Sequence, residues 1–133
     1  MGLTQSVVTC LLMFAFYSCR RPVSIPDYSN VDGYVIGKEV CKDNEADDYW
    51  LIDLTYNYNT PQYGNTLILN GRIYTNVIKT KTLRPPLNKV GMPVSLDFKV
   101  ITSDKVQTTG CSVSNPITYD LKELFIINQF EIR

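Results

Sequence analysis

The side chains that could carry catalysis in this chain are carboxylates, because none of its 133 residues is a histidine. Histidine is the commonest general base and the commonest side-chain metal ligand. Asp53, Asp97 and Glu39 lie in strand-like segments, but nothing in their spacing brings two carboxylates together. The sequence has no GxSxG motif, no Cys/His pair and no phosphate-binding loop. We therefore expect a protein that is not an enzyme and needs no metal or cofactor, with a small carboxylate-dependent enzyme as the alternative.

One acidic cluster has the alternating pattern of a calcium-binding loop. Its carboxylates belong to Asp43, Glu45, Asp47 and Asp48. The EF-hand pattern fails, because Asp48 occupies the glycine position and Leu54 occupies the position of the final bidentate glutamate. We interpret the cluster as a solvated hairpin tip.

Four aromatic side chains near one strand and its following loop form the candidate ligand-binding group: Trp50, Tyr56, Tyr58 and Tyr63. Tyr56 and Tyr58 are two residues apart, so they share a face of an extended strand. An asparagine follows each of them, and rings with neighbouring amides can stack on sugars or on a peptide. Core packing explains the same residues without a ligand. A glycan or an envelope protein is thus the expected class of partner.

The N-terminal segment indicates export. From Val7 to Tyr17 only Thr9 is polar, and Arg20 and Arg21 follow shortly after. About a dozen apolar residues are too few to span a bilayer, which needs roughly 20. They suit the hydrophobic region of a signal peptide, although no Lys or Arg precedes them.

Cys19 lies just past this segment, behind the small Ser18, and the arrangement resembles the lipobox of bacterial lipoproteins. Phe16 stands where that motif usually has leucine. The order of GYVIGKEVC, YWLIDL, GC, ITYDL and FEIR is similar to that of a family of small lipoproteins of Bacteroidota-type bacteria. This resemblance implies that residues 1–18 are removed and that Cys19 carries a lipid, by default in the outer membrane facing the periplasm. A plain secretory signal and a mis-assigned start are the alternatives.

Two cysteines remain once Cys10 leaves with the signal peptide and Cys19 is lipidated. An exported protein with two remaining cysteines favours one disulfide, so we expect Cys41 to pair with Cys111. By the chain-entropy model, closing a loop of about 70 residues contributes about 4 kcal/mol. Two separate buried thiols are the alternative.

The chain is electrically neutral, with 13 basic and 13 acidic side chains. A neutral domain has no electrostatic reason to bind nucleic acid. We interpret the small basic patch of Lys79, Lys81 and Arg84 as a solvated strand edge that discourages aggregation.

Strand and turn patterns follow one another from residue 33 onward. Val94–Ile101 alternates apolar and polar residues and is the cleanest half-buried strand. Asn70 and Gly71 separate two apolar runs, which is typical of a type I′ hairpin because both central residues need positive φ. Gly37 indicates a bulge in the strand Gly33–Cys41.

Short strands without a long amphipathic helix predict an all-β domain. The size suits a small OB-like closed or partly open barrel of roughly five to seven antiparallel strands, since closure protects strand edges. A Greek-key or immunoglobulin-like sandwich is the alternative. We expect one domain over residues 33–133, joined to the anchor by a flexible tether over residues 19–32. The protein is thus predicted to be a membrane-anchored envelope lipoprotein whose β domain is a binding or structural accessory module.

Overall fold

Six strands form one antiparallel sheet in the computed structural model, which describes residues 23–55, 60–102 and 110–132. Their order across the sheet is β3-β4-β2-β1-β5-β6. A single short 3-10 helix spans Glu45–Asp47 in these ranges. The all-β prediction is therefore confirmed. The strands are β1 (Tyr28–Lys38), β2 (Trp50–Asp53), β3 (Asn65–Leu69), β4 (Arg72–Thr80), β5 (Pro93–Val100) and β6 (Leu124–Glu131).

The sheet is not closed into a barrel, because the edge strands β3 and β6 do not pair with each other in the described residues. It coils far enough for β4 to meet the residues just before β6, where the Lys79 amide donates to the Lys122 carbonyl at 2.9 Å. The Thr82 hydroxyl accepts from the Ile126 amide at 2.8 Å, at the outer edge of β6. The fold thus agrees with the partly open form of the predicted barrel.

Two local signals in the sequence are confirmed by the backbone. Asn70 and Gly71 have φ angles of 51° and 78° and join β3 to β4. The pairing of β1 with β2 shifts register between Val35 and Gly37, which is the expected bulge. The buried pattern of β5 also follows the predicted alternation.

β1 begins at Tyr28 and not at Gly33. Residues 28–32, which the prediction assigned to the tether, therefore belong to the sheet. Tyr28 pairs with Phe98, and Val31 is buried opposite Leu96. Between Tyr28 and Val31 the register shifts, and Asn30 adopts a φ of 53°. This irregularity breaks the alternation by which a strand is recognised in a sequence.

Both faces of the sheet bury apolar side chains. The larger cluster contains the biggest buried ring, Phe98, together with aliphatic residues of β1, β2, β4, β5 and β6. The smaller cluster lies on the opposite side of β2, because Leu51 belongs to it while the adjacent Ile52 belongs to the larger one. Its buried members are Leu51, Leu67, Val77 and Leu121, with Ile36, Leu69, Tyr74 and Tyr119 packed against them.

A buried ion pair joins the end of β1 to β4. Glu39 is 2% exposed, and its Oε1 accepts from Lys79 Nζ at 3.2 Å and from the Tyr119 amide at 2.8 Å. Lys79 Nζ also donates to the Tyr119 carbonyl at 2.8 Å. The pair therefore fixes the segment before β6 against the sheet. Since Lys79 is in a central strand and bonded in this way, it is not part of a solvated edge, and the interpretation of the basic patch was wrong for this residue.

The loop before β3 is held by one buried amide. The Asn76 side chain, 1% exposed, accepts from the amides of Tyr63 and Gly64 at 2.9 and 2.6 Å and donates to the Pro61 carbonyl at 3.0 Å. A Cβ on Gly64 would lie 2.5 Å from the Val77 carbonyl oxygen. Only glycine allows this close approach of loop and strand.

Cys41 and Cys111 lie at disulfide distance, with their Cα atoms 4.6 Å apart, as predicted. The Ser112 amide donates to the Cys41 carbonyl at 2.8 Å, and the Asp43 amide donates to the Ser112 hydroxyl at 2.9 Å. The bridge thus joins the β1–β2 connection to the segment that precedes β6.

Candidate functional site

A cleft of about 560 Å³ opens on the face of the sheet that carries the smaller apolar cluster. This volume is in the usual range for small-ligand sites. The cleft is formed by β1, the end of β2, the start of β4 and the loop before β5. Its lining residues include Tyr34, Asp53, Thr55, Arg72, Tyr74 and Val90.

The order of the strands brings these residues together. Asp53 lies opposite Tyr34 on one side and opposite Val77 on the other, so β2 occupies the middle of the cleft. The pairing of β3 with β4 shifts register between its Val77 and Tyr74 pairs. This irregularity places Tyr74 in the same cluster as Val77, although their odd spacing would put them on opposite faces of a regular strand.

Asp53 and Thr55, on the middle strand of the cleft, present hydrogen-bond acceptors. Asp53 Oδ2 accepts from Thr55 Oγ1 at 2.5 Å, and Asp53 Oδ1 accepts from the Thr55 amide at 3.3 Å. An ionised carboxylate has about four lone-pair sites, so it can accept further donors. The Thr55 hydroxyl gives its proton to Asp53 and keeps its own lone pairs. A ligand group that contacts these oxygens therefore supplies N–H or O–H donors.

The side of the cleft formed by β4 presents a guanidinium. Arg72 Cζ lies 5.0 Å from the centre of the Tyr74 ring, within cation–π range, and Tyr74 packs in turn on the smaller apolar cluster. The ion pairs in the described ranges involve Lys38 and Lys79, and no carboxylate there pairs with Arg72. The five N–H groups of Arg72 are donors only, so this side suits an acceptor-rich ligand group.

On the β1 side, the wall of the cleft comes from the loop before β5 and is apolar. The Gly91 amide donates to the Val35 carbonyl at 2.8 Å, and the Val35 amide donates to the Met92 carbonyl at 3.0 Å. Gly91 has a φ of 91°, which favours glycine. These contacts fix Val90 at the rim, where 65% of its surface is exposed.

The aromatic group predicted from the sequence does not form this cleft. Trp50 packs against the larger core cluster, with Lys38 Nζ 5.8 Å from its ring. Tyr63 packs against the same cluster, its ring centre 5.9 Å from that of Tyr28. Burial raises the pKa of Tyr63 above its ordinary value of 10.0, and the charges of Tyr28 and Asp27 add to the shift. Tyr56 and Tyr58 lie outside the described residues.

The three carboxylates of the enzyme hypothesis are held in separate environments. Asp53 lines the cleft, while Glu39 is buried with Lys79. Asp97 accepts from Asn128 Nδ2 at 3.0 Å and from the Asn30 amide at 2.8 Å. These hydrogen bonds, the Asn128 side chain first, lower the pKa of Asp97 below 3.8. No second carboxylate is among the residues found to line the cleft.

Two carboxylates of the acidic cluster bind nearby groups of the protein itself. Asp48 is 2% exposed and accepts from the amides of Cys41 and Lys42, both at 2.9 Å, and Glu45 pairs with Lys38 at 2.6 Å. Within residues 23–55, 60–102 and 110–132, no three His, Cys, Asp or Glu side chains are grouped to hold a metal ion.

Tyr49 is the most perturbed titratable group outside the cleft. Burial, followed by a hydrogen bond to Glu123, raises its pKa well above 10.0. Its ring lies between Lys79 and Lys81, whose Nζ atoms are 4.8 and 4.5 Å from the ring centre. These contacts belong to the seam between β4 and the segment before β6, so we assign Tyr49 a structural role.

Sequence reasoning missed most of the cleft. Arg72 and Tyr74 follow the Asn70-Gly71 turn at strand spacing, and that pattern could have marked them as neighbours. Their proximity to Asp53 depends on the β4-β2-β1 order, and no local sequence pattern predicts that order.

Comparison with protein-family models, with curated proteins and with solved structures finds no match to this chain. The helical part of the described residues contains no segment long and apolar enough to cross a membrane. Cys19 and residues 1–18 lie outside the described ranges.

Proposed function

We propose that this chain is an envelope lipoprotein whose β domain binds a glycan in the cleft between β1, β2 and β4. In this proposal residues 1–18 are the signal peptide and Cys19 carries the lipid, in the outer membrane facing the periplasm. The observation that carries the binding role is the cleft itself, which Asp53, Thr55 and Arg72 all line.

The location of the cleft favours a glycan over an extended peptide. Peptides commonly bind to sheets by adding a strand at a free edge. The cleft lies on the sheet face instead, and β1, β2 and β4 each have a neighbour on both sides. Recognition therefore depends on side chains, and the ligand must bring its own closely spaced polar groups. Adjacent hydroxyls of a sugar ring meet the acceptors of Asp53 and Thr55 in this way.

The single carboxylate supports binding rather than hydrolysis. Glycosidases generally place two carboxyl groups on either side of the bond that breaks. Of the residues found to line the cleft, only Asp53 carries a carboxylate, and Thr55 already donates to both of its oxygens. The side chains of the cleft therefore suit the binding and orientation of a ligand.

A glycan array carrying neutral and uronic-acid oligosaccharides tests the binding role. We expect Asp53→Asn to weaken binding about tenfold, the size of one lost charge-assisted hydrogen bond. Asp97→Asn is the matched control, since Asp97 is also a strand carboxylate but contacts Asn30 and Asn128 instead of the cleft. Equal binding by the two variants would contradict the proposal, and so would the absence of any bound glycan.

The anchor has its own test. Metabolic labelling with a fatty-acid probe should mark the wild-type protein and should not mark Cys19→Ala. Equal labelling of both proteins would exclude the lipid anchor while leaving the binding role intact.

A further inference from the structure

We propose that the glycan bound in this cleft is acidic and that Arg72 receives its carboxylate. This inference rests on the proposed glycan-binding role and assigns the chemical class of the ligand.

Arg72 is held in place for such a group. Its guanidinium lies over Tyr74, which is itself packed on the smaller apolar cluster. Arginine presents a planar pair of donors that matches the two oxygens of a carboxylate. No protein carboxylate in the described ranges occupies this position.

Three other cations of the described residues have protein partners. Lys38 pairs with Glu45, and Lys79 pairs with Glu39. Lys122 Nζ donates to the Tyr63 carbonyl at 2.9 Å. Arg72 is the only Lys or Arg among the residues found to line the cleft, so it is the group there that can balance a negative ligand charge.

The opposite charges of Asp53 and Arg72 set the orientation of an acidic ligand. Asp53 repels an anion and accepts hydroxyl donors, whereas Arg72 attracts the anion. In this arrangement the hydroxyls of the ligand contact Asp53 and its uronic carboxylate contacts Arg72.

The test compares each of a panel of di- and trisaccharides containing galacturonate, glucuronate or mannuronate with its methyl ester. The ester keeps the ring skeleton and removes the charge. Titration calorimetry is carried out on the wild-type protein, on Arg72→Met, which keeps an apolar stem over Tyr74, and on Arg84→Met. Arg84 is also an exposed arginine but does not line the cleft. Thermal unfolding of each variant confirms that it is folded.

We expect at least one acid to bind about tenfold more tightly than its ester, and we expect Arg72→Met alone to abolish that preference. Arg72→Lys should restore part of it, because the charge returns without the planar fork. Equal affinity for acid and ester, with Asp53→Asn still weakening both, would overturn this inference and leave glycan binding intact. A preference that survives in Arg72→Met would also overturn it. If no acid and no ester binds while a neutral oligosaccharide of the array does, this inference alone is wrong, and if nothing on the array binds either, the proposed function is wrong as well.

Discussion

The buried Glu39–Lys79 pair gives a quantitative test of the fold that supports the cleft. Lys79→Met leaves the Glu39 carboxylate, 2% exposed, with the Tyr119 amide as its remaining donor among the contacts described above. Stranding a buried charge in this way costs about 3 kcal/mol or more of the free energy of unfolding. With a urea slope of roughly 1.5 kcal/mol per molar for a domain of this size, the midpoint of unfolding should fall by about 2 M.

Two further variants separate the buried charge from the loss of lysine packing. In Glu39→Gln/Lys79→Met no charge is stranded, and the glutamine oxygen can still accept from the Tyr119 amide. This double variant should therefore regain at least about 1 kcal/mol over Lys79→Met. Lys38→Met is the matched control, because its pair with Glu45 is on the surface, with side chains 25% and 82% exposed. It should cost less than about 1 kcal/mol.

Urea unfolding followed by tryptophan fluorescence measures all of these values. A free energy of unfolding for Lys79→Met within about 1 kcal/mol of the wild-type value would refute the reasoning, because removing the cation from a buried carboxylate should destabilise the fold by more than this. A double variant no more stable than Lys79→Met would show that the cost comes from packing instead of charge.

Three other predictions concern the same domain. Replacing Cys41 and Cys111 by serine should lower the free energy of unfolding by about 4 kcal/mol, measured by urea unfolding, and no change on reduction of the wild type would contradict this. Gly64→Ala should lower the free energy of unfolding by about 2 kcal/mol or more, because the added Cβ would lie 2.5 Å from the Val77 carbonyl oxygen. A melting temperature equal to that of the wild type would contradict this prediction. Asp97→Asn should be less stable than the wild type above pH 3.8, and the difference should vanish as the pH falls through the lowered pKa of Asp97, because the hydrogen bonds favour the charged form. A difference that does not depend on pH in acid unfolding experiments would contradict that assignment.

Local patterns in the sequence were sufficient to predict much of the fold. The Asn70-Gly71 turn, the bulge at Gly37 and the alternation of β5 each depend on residues that are close together in the chain. The succession of short strand patterns without a long amphipathic helix was sufficient for the all-β class. The start of β1 was misplaced because Asn30 interrupts the strand with positive φ, and a period-2 pattern does not survive such an interruption.

The candidate site could not be predicted in the same way. Trp50 and Tyr63 were selected because they are aromatic and close in sequence to a loop, but both pack on the core. Asp53 was selected as a strand carboxylate, and it does line the cleft. Arg72 is brought to the same cleft by strand order and by a register shift, and both are properties of the assembled sheet.

The most direct test of the binding account is a map of the contact surface in solution. Nitrogen-15 correlation spectra of the protein are recorded during titration with the oligouronate that binds best in calorimetry. The account predicts that the largest shifts occur at the amides of Thr55, Arg72 and Gly91, around the cleft. Shifts centred on Trp50 and Tyr63, with the cleft amides unchanged, would contradict it.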